Sequence, residues 1–239
     1  QPVGDARRAA AAVGDLARAL GVHRHLEQAR RAIEDALHLG RGVELQARDD
    51  AVGAGARLGT RRMRRYGHFS YDQEGATATP MDPEDFVQPE DSNPLYIGTP
   101  RHFEPLTTSF AHDTLLSQLL SLLGRDAVSL DERPQWHARG TPFRVLATAE
   151  SEGQATPEGV HRDGVTLVTS LLIARRNAVG GKSSVYDLDG RPLLTTTLST
   201  PGTMLLGDDR RTLHDVSPIR PLDRARPATR DVLVITFAG

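Results

Sequence analysis

The chain has 239 residues and a formal net charge of −2, which suits one large domain with a buried core. This near-neutral charge gives no global basic field of the kind that binds nucleic acid or an anionic membrane surface. No apolar run reaches the roughly 18 residues of a membrane span, and no signal-peptide pattern is present, so we expect a cytoplasmic protein. Cysteine is absent, which excludes disulfides, thiolate metal sites and cysteine nucleophiles.

Residues 1–60 contain two helical patterns, and a basic strand is predicted directly after them. Apolar residues recur at helical spacing up to Gly21 and again up to Gly40, which predicts two amphipathic helices packed outside the core. Residues 61–72 predict a strand, whose basic run we interpret as a solvated strand edge rather than a nucleic-acid patch. The arginines of that run are Arg61, Arg62, Arg64 and Arg65.

A polar segment and a leucine-rich helix follow. Residues 75–107 are rich in Pro, Asp, Glu and Thr, and they predict a long ordered loop that overhangs a site as a lid. The next segment predicts a helix with a buried leucine face that ends at Gly124. Its apolar face consists of Leu115, Leu116, Leu119, Leu120 and Leu123.

From residue 134 onward the pattern is that of short β-strands. Runs rich in Val, Leu, Thr and Phe alternate with AVGGK, DLDGR and STPGT, each with a glycine where a turn needs positive φ. The runs are FRVLATAE, VTLVTSLLIARR, SSVYDL, LLTTTL, TMLLG, LHDVSPI and DVLVITF. We therefore predict an α+β chain with a mainly β core, a double-stranded β-helix (jelly roll) over 134–239, within a single domain spanning 1–239.

Two histidines and an aspartate in this β region predict a metal site. His161 and Asp163 in PEGVHRDG are two residues apart, so on an extended strand both side chains point to one face. His214 follows in RTLHDVSPI after several predicted strands. Two imidazoles and one carboxylate leave three octahedral positions open, which is the facial triad of oxygen-activating non-haem iron. Taken alone, His161 would be interpreted as a hydrogen-bonded structural histidine. The presence of His214 in a second β segment favours the interpretation of both as metal ligands.

The last predicted strand places an arginine and a hydroxyl on one face. Strand alternation puts Arg230, Val232, Val234 and Thr236 side by side. A guanidinium there could hold a carboxylate through two parallel hydrogen bonds. The alternative is an arginine that faces solvent at the strand mouth.

Several stretches resemble the Fe(II)- and 2-oxoglutarate-dependent dioxygenases. The stretches are PEGVHRDGVTLVTSLLIARRNAVGG, PGTMLLGDDRRTLHDVSPI and TRDVLVITFAG, with SNPLYIGTPRHFEPL upstream. They are most similar to the bacterial group that includes L-isoleucine dioxygenase and hydroxylates free L-amino acids. The resemblance covers roughly residues 60–239 and includes the three predicted metal ligands.

The resemblance implies Fe(II), 2-oxoglutarate as co-substrate and O2. It implies that iron is chelated by the C1 carboxylate and keto oxygen of 2-oxoglutarate, while a basic residue on the final strand binds the C5 carboxylate. We assign that role to Arg230, with Thr236 on the same face. Arg224 and Arg226 also follow His214, but they lie among prolines in a loop-like stretch. Hydroxylation would release succinate and CO2.

Three further residues are candidates for binding a small-molecule substrate. The resemblance implies that this substrate is an L-amino acid. Arg144 could pair with a substrate carboxylate or lie on the strand surface. Glu158 could receive an amino group or only shape the turn before His161. Tyr186 could line the pocket, although packing in the core is the simpler interpretation.

Other functions remain open on the sequence. A jelly-roll protein that binds 2-oxoglutarate without turnover would keep the same residues. A hydrolase or isomerase could use the same ligands with another metal ion. If the protein is an oxygenase, its substrate could instead be a carrier-bound amino acid or a natural-product intermediate. The sequence also allows a homo-oligomer.

Overall fold

The computed structural model describes residues 61–82 and 104–239. These ranges contain two helices, α1 (Thr108–Ala111) and α2 (Thr114–Leu130). The first strands are β1 (Arg61–Arg64), β2 (Gly67–Asp72), β3 (Thr77–Pro80), β4 (Trp136–Ala147), β5 (Leu167–Arg176) and β6 (Ala178–Gly180). The remaining strands are β7 (Lys182–Asp187), β8 (Pro192–Thr197), β9 (Met204–Asp208), β10 (Thr212–Val216), β11 (Ile219–Pro221) and β12 (Ala228–Ala238).

The strands form one large sheet that faces smaller ones. The seven-stranded sheet has the order β3-β2-β4-β12-β5-β9, with β1 also paired to β4. A three-stranded sheet has the order β10-β7-β8, and β11 pairs with β6. The predicted mainly β, jelly-roll fold is confirmed.

The turn glycines behave as their sequence context predicts. Gly180, Gly181, Gly190 and Gly202 all have positive φ, between 65° and 88°. They lie in the three turns predicted from AVGGK, DLDGR and STPGT, where a residue with a Cβ would be strained. These turns separate β6 from β7, β7 from β8, and β8 from β9.

The predicted strand over 61–72 is two strands that lie in line. β1 pairs with β4 so that Arg64 lies opposite Phe143, and β2 pairs with β4 so that Gly67 lies opposite Gly140. Both strands therefore extend the same edge of β4. The predicted loop over 75–107 contains β3 near its start, and residues 83–103 lie outside the described ranges.

Helix α2 covers one face of the large sheet. Asp113 caps its N-terminus, because the carboxylate accepts hydrogen bonds from the backbone N–H groups of Leu115 and Leu116. The leucine face packs against alternate residues of β12, namely Leu233, Ile235 and Phe237. The intervening residues of β12 face the opposite side of the sheet, which leaves that side available for a cavity.

The predicted helix end at Gly124 is wrong. Helix α2 continues through Gly124 to Leu130. A Cβ at Gly124 would lie 2.2 Å from Cζ of Tyr71, so glycine is required there for close packing of the helix on β2. The glycine therefore marks a contact between two elements and not a stop signal.

The predicted helices within residues 4–40 lie outside the described residues, and the single-domain boundary stays a prediction. In the described ranges, no helix is long and apolar enough to cross a membrane.

Candidate active site

A cavity of about 190 Å³ lies between the large sheet and the three-stranded sheet. Its wall on β12 consists of Arg230, Val232, Val234 and Thr236, the four residues that alternation predicts to share a face. The facing wall includes residues of β7 and β10. The cavity is therefore enclosed by the two sheets of the jelly roll.

His161 and His214 meet at one end of this cavity. Their backbones form an isolated antiparallel bridge, in which His161 N donates to His214 O at 3.0 Å and His214 N donates to His161 O at 2.8 Å. The two ring centroids are 4.4 Å apart. The expectation that His161 and Asp163 lie on a regular strand is wrong, because beyond this one bridge the segment is irregular.

Asp163 lies between the two imidazoles. Its Oδ1 is 3.8 Å from Nε2 of His161, and its Oδ2 is 3.8 Å from Nε2 of His214. One ligand atom from each residue lies within 4.8 Å of the others. A metal ion about 2 Å from each nitrogen or oxygen ligand would draw these atoms somewhat closer together. In the described ranges, these residues form the one histidine and carboxylate group that could hold an ion.

A hydrogen bond to the other ring nitrogen leaves Nε2 of His161 free for a metal. The Nδ1 of His161 lies 2.9 Å from the carbonyl of Gly159, and since a carbonyl only accepts, Nδ1 carries the proton. The Nε2 lone pair is then available to a metal. Nδ1 of His214 faces Oδ1 of Asp209 at 3.8 Å. Burial is the main cause that lowers the pKa of His214, which favours the neutral form that binds a metal.

Asp209 organises the segment that carries Asp163. This fully buried carboxylate accepts hydrogen bonds from the backbone N–H groups of Asp163, Gly164 and Val165, at 3.1, 2.7 and 3.0 Å. Burial, followed by the neighbouring Asp163, raises its pKa. Sequence reasoning missed Asp209, and the paired aspartates after TMLLG are the one signal that pointed to it.

Arg230 is buried in the cavity wall with an incomplete set of partners. It is 2% exposed, and its Nε and Nη2 atoms have no hydrogen-bond partner within the described ranges. Burial, with a contribution from the charge of Arg175, lowers the pKa of Arg230 to about 10, so it stays protonated at neutral pH. A buried guanidinium of this kind needs an anion or acceptor to complete its hydrogen bonds.

The two alternative arginines are engaged on the surface. Arg224 donates to the carbonyl of Ala149, and Arg226 donates to the carboxylate of Asp223. Neither lines the cavity. Their positions leave Arg230 as the arginine of this part of the sequence that faces the cavity.

The structure brings one of the three predicted substrate residues into the cavity. Glu158 lines it, with Oε1 3.3 Å from Nε2 of His161. Arg144 is not part of the cavity lining, and its guanidinium forms two 2.7 Å hydrogen bonds with Asp231. Tyr186 is also outside the lining, and its hydroxyl donates to Asp215 at 3.4 Å.

The interpretation of the basic run as a solvated strand edge is wrong. Arg62 and Arg65 are 8% and 7% exposed, and Arg62 and Arg64 line the cavity. Arg64 lies 5.3 Å from the centre of the Phe143 ring, within the range of a cation–π contact. Alternation along β1 turns these two arginines inward, so an edge strand here contributes positive charge to the cavity.

The residues fit a non-haem iron centre with an anionic co-substrate. Two imidazoles and a carboxylate, without a thiolate, are a donor set suited to Fe(II). The unpartnered donors of buried Arg230 suit a carboxylate. His161, Asp163 and His214 would hold the ion, and Arg230 would receive the far end of an anion bound to it.

A model of the 2OG-Fe dioxygenase family matches residues 47–236. The chain belongs to the 2OG-Fe dioxygenase family. Membership implies Fe(II), 2-oxoglutarate and O2 as its metal and co-substrates, and an oxidoreductase that acts on a small molecule. No curated protein matches the chain.

Solved structures of other proteins share the fold of this dioxygenase. A bsmA homolog from Methylobium petroleophilum PM1 has 36% sequence identity and a TM-score of 0.68, covering 74% of this chain and 71% of that chain. IDO from Bacillus thuringiensis has 18% identity and a TM-score of 0.69, covering 90% and 86%. The Fe(II)/α-ketoglutarate-dependent dioxygenase TqaL has 17% identity and a TM-score of 0.61, covering 90% and 75%.

Proposed function

We propose that this dioxygenase hydroxylates an unactivated C–H bond of a free L-amino acid or a close derivative. The balanced reaction consumes the substrate, O2 and 2-oxoglutarate, and releases the hydroxylated substrate, succinate and CO2. The observation that carries the proposal is the cavity, in which His161, Asp163 and His214 converge and the donors of buried Arg230 lack partners within the described residues. Iron with the two co-substrates supplies the oxidising power.

The protein residues hold and orient the reactants. We assign His161, Asp163 and His214 as the metal ligands, with the Gly159 carbonyl orienting the His161 imidazole and Asp209 holding the backbone that carries Asp163. Ligands held in this way need little rearrangement when the ion binds. An ion held by these three residues would keep coordination positions free for the co-substrates on the cavity side.

Arg230 and Thr236 would position the co-substrate. Both side chains are buried and both line the cavity on β12. Arg230 would bind the C5 carboxylate of 2-oxoglutarate through charge-assisted hydrogen bonds. Thr236 precedes Phe237, whose carbonyl accepts a hydrogen bond from Thr166 near the metal ligands, so the Thr236 hydroxyl would lie towards the metal end.

Two of the charged residues that line the cavity, Glu158 and Arg139, would suit the two ends of a zwitterionic substrate. Glu158 lies beside His161, and Arg139 lines the cavity opposite Thr236 in the β4–β12 register. A carboxylate and a guanidinium near the same end match the ammonium and carboxylate groups of an amino acid. Val165 and Val168 supply apolar surface for a side chain. We propose Glu158 as the group that receives the amino group.

The proposal is tested by succinate formation with Fe(II), 2-oxoglutarate and ascorbate, with and without pools of free L-amino acids. We expect one pool to stimulate succinate, and Asp163→Ala to abolish it because a metal ligand is lost. Asp189→Ala is a matched control at an exposed turn and should behave as wild type. Succinate formation that no pool stimulates would indicate that the substrate is a carrier-bound amino acid or another derivative. No succinate from the iron-loaded protein would refute the oxygenase.

A further inference from the structure

We propose that the substrate is an acidic L-amino acid and that Arg64 binds its side-chain carboxylate. This inference rests on the proposed function, in which a free L-amino acid occupies the cavity. The observation behind it is that β1 turns arginine side chains into the cavity, where a neutral amino acid needs no further cation.

Arg64 and Glu158 lie on facing walls of the cavity. Arg62, two residues earlier on β1, donates from Nη1 to the carbonyl of Ala155 at 3.2 Å. Strand β1 therefore lies across the cavity from the segment that leads to Glu158 and His161. β1 is antiparallel to β4 and runs in the same direction as β12, towards the metal ligands. Since the facing segment also runs towards His161, Arg64 and Glu158 are both nearer to the metal site than the contact between Arg62 and Ala155.

Arg64 lies apart from the arginine that we assign to the co-substrate. On β4, Val145 pairs with Arg230, whereas Phe143 pairs with Arg64. β1 and β12 lie on opposite sides of β4, so their backbones are about 10 Å apart. Arg64 therefore occupies a different strand from Arg230 and a position two residues closer to the metal end of the sheet.

The other charged side chains of the cavity wall have partners or assigned roles. Within the described ranges, the arginines of the lining are Arg62, Arg64, Arg139 and Arg230, and the carboxylates are Glu158, Asp163 and Asp215. Arg230 is assigned to the co-substrate and Asp163 to the metal. Arg139 and Glu158 would suit the two charges of an amino acid backbone. Arg62 donates to a backbone carbonyl, and Asp215 accepts from Tyr186. Arg64 is thus one cation more than a neutral amino acid requires, and an opposite charge on the substrate would stabilise it.

Phe143 holds the Arg64 side chain at the cavity wall. Cζ of Arg64 lies 5.3 Å from the centre of the Phe143 ring, and this ring also lines the cavity. A cation–π contact uses the charge of the guanidinium above the ring, whereas its N–H donors lie in the guanidinium plane. These donors can bind both oxygens of a carboxylate through parallel hydrogen bonds. The corresponding amide has one oxygen and no charge, so the site should distinguish an acid from its amide.

The test is calorimetric titration of the full chain loaded with 2-oxoglutarate and with Mn(II) in place of iron. The ligands are two matched pairs, L-glutamate with L-glutamine and L-aspartate with L-asparagine. We expect one acid to bind at least about tenfold more tightly than its own amide, as for a hydrogen bond between charged groups. Arg64→Met should remove this preference and leave the affinity for the amide and for 2-oxoglutarate nearly unchanged. Arg64→Lys keeps the charge and should keep part of the preference. Arg191→Met, whose side chain is 75% exposed in the wild type, is the control and should keep all of it.

The outcomes separate this inference from the proposed function. If the wild-type protein binds each amide as tightly as its acid while a neutral amino acid stimulates succinate formation, the inference fails and the proposed function stands. Weaker binding of 2-oxoglutarate in Arg64→Met would place Arg64 in the co-substrate site and also overturn the inference. If Arg64→Met does not fold, the wild-type preference and its reduction in Arg64→Lys decide. If no free amino acid binds to the loaded protein, both the inference and the proposed function fail.

Discussion

Arg144 and Asp231 form a buried ion pair that we expect to stabilise the fold. Arg144 Nε donates to Oδ1 and Nη2 donates to Oδ2, each at 2.7 Å. The Asp231 side chain is 0% exposed and that of Arg144 is 9% exposed. Removing one partner of such a pair leaves an uncompensated buried charge, at a cost of about 3–5 kcal/mol. We therefore expect Asp231→Asn to lower the free energy of unfolding by at least about 3 kcal/mol, or about 6 °C in Tm.

Urea denaturation of a double-mutant cycle measures this pair. The cycle contains Asp231→Leu, Arg144→Met and the variant with both changes, and Asp231→Asn is measured beside it. The doubly substituted protein should recover most of the lost stability, because no charge is left buried. Arg144→Met should leave the KM for the substrate unchanged. A loss below about 1 kcal/mol in Asp231→Asn, or a raised KM with unchanged stability in Arg144→Met, would refute the reasoning.

Three other substitutions test separate parts of the structure. Asp209→Asn keeps one oxygen acceptor for the backbone N–H groups after Asp163 but loses the carboxylate, and we expect about 10–100-fold weaker metal binding by calorimetry. Gly124→Ala should lower unfolding free energy in urea by about 1–3 kcal/mol, because the methyl group would overlap Tyr71. Burial raises the pKa of Asp126 above 3.8, so the folded protein keeps this proton to a higher pH than the unfolded chain does. The free energy of unfolding therefore falls as pH rises from the unfolded to the folded pKa of Asp126. Asp126→Asn should remove this pH dependence and raise stability at pH 7 by no more than about 1 kcal/mol, since the carboxyl is partly solvated; an unchanged dependence of unfolding free energy on pH would contradict the assignment.

Strand alternation was sufficient to predict the cavity face of β12. Arg230, Val232, Val234 and Thr236 were grouped from their spacing alone, and all four line the cavity. The same rule could not decide the role of Arg144, because a period of two defines two faces without saying which is inside. In the structure Phe143 and Val145 face the cavity, so Arg144 points to the other side, opposite Asp231.

Contacts between residues far apart in the chain could not be predicted from the sequence. Asp209 acts on backbone N–H groups 44 to 46 positions earlier in the chain, and no local pattern records such a partner. The inward direction of Arg62 and Arg64 was missed for a related reason. The edge position of β1 suggested solvent, whereas the position of the smaller sheet across the cavity decides whether an edge residue is covered.

An irregularity in the pairing of β5 with β12 accounts for the meeting of Arg175 and Arg230. Val232 pairs with Leu172, but Asp231 pairs with Ala174, so β5 contains one extra residue, Ile173, at this point. Without this bulge, the residue opposite Arg230 would be Ala174 in place of Arg175. A slip of one residue also turns side chains to the other face of a sheet. Bulges occur often beside active sites, where they redirect a side chain, and here the bulge places Arg175 opposite Arg230.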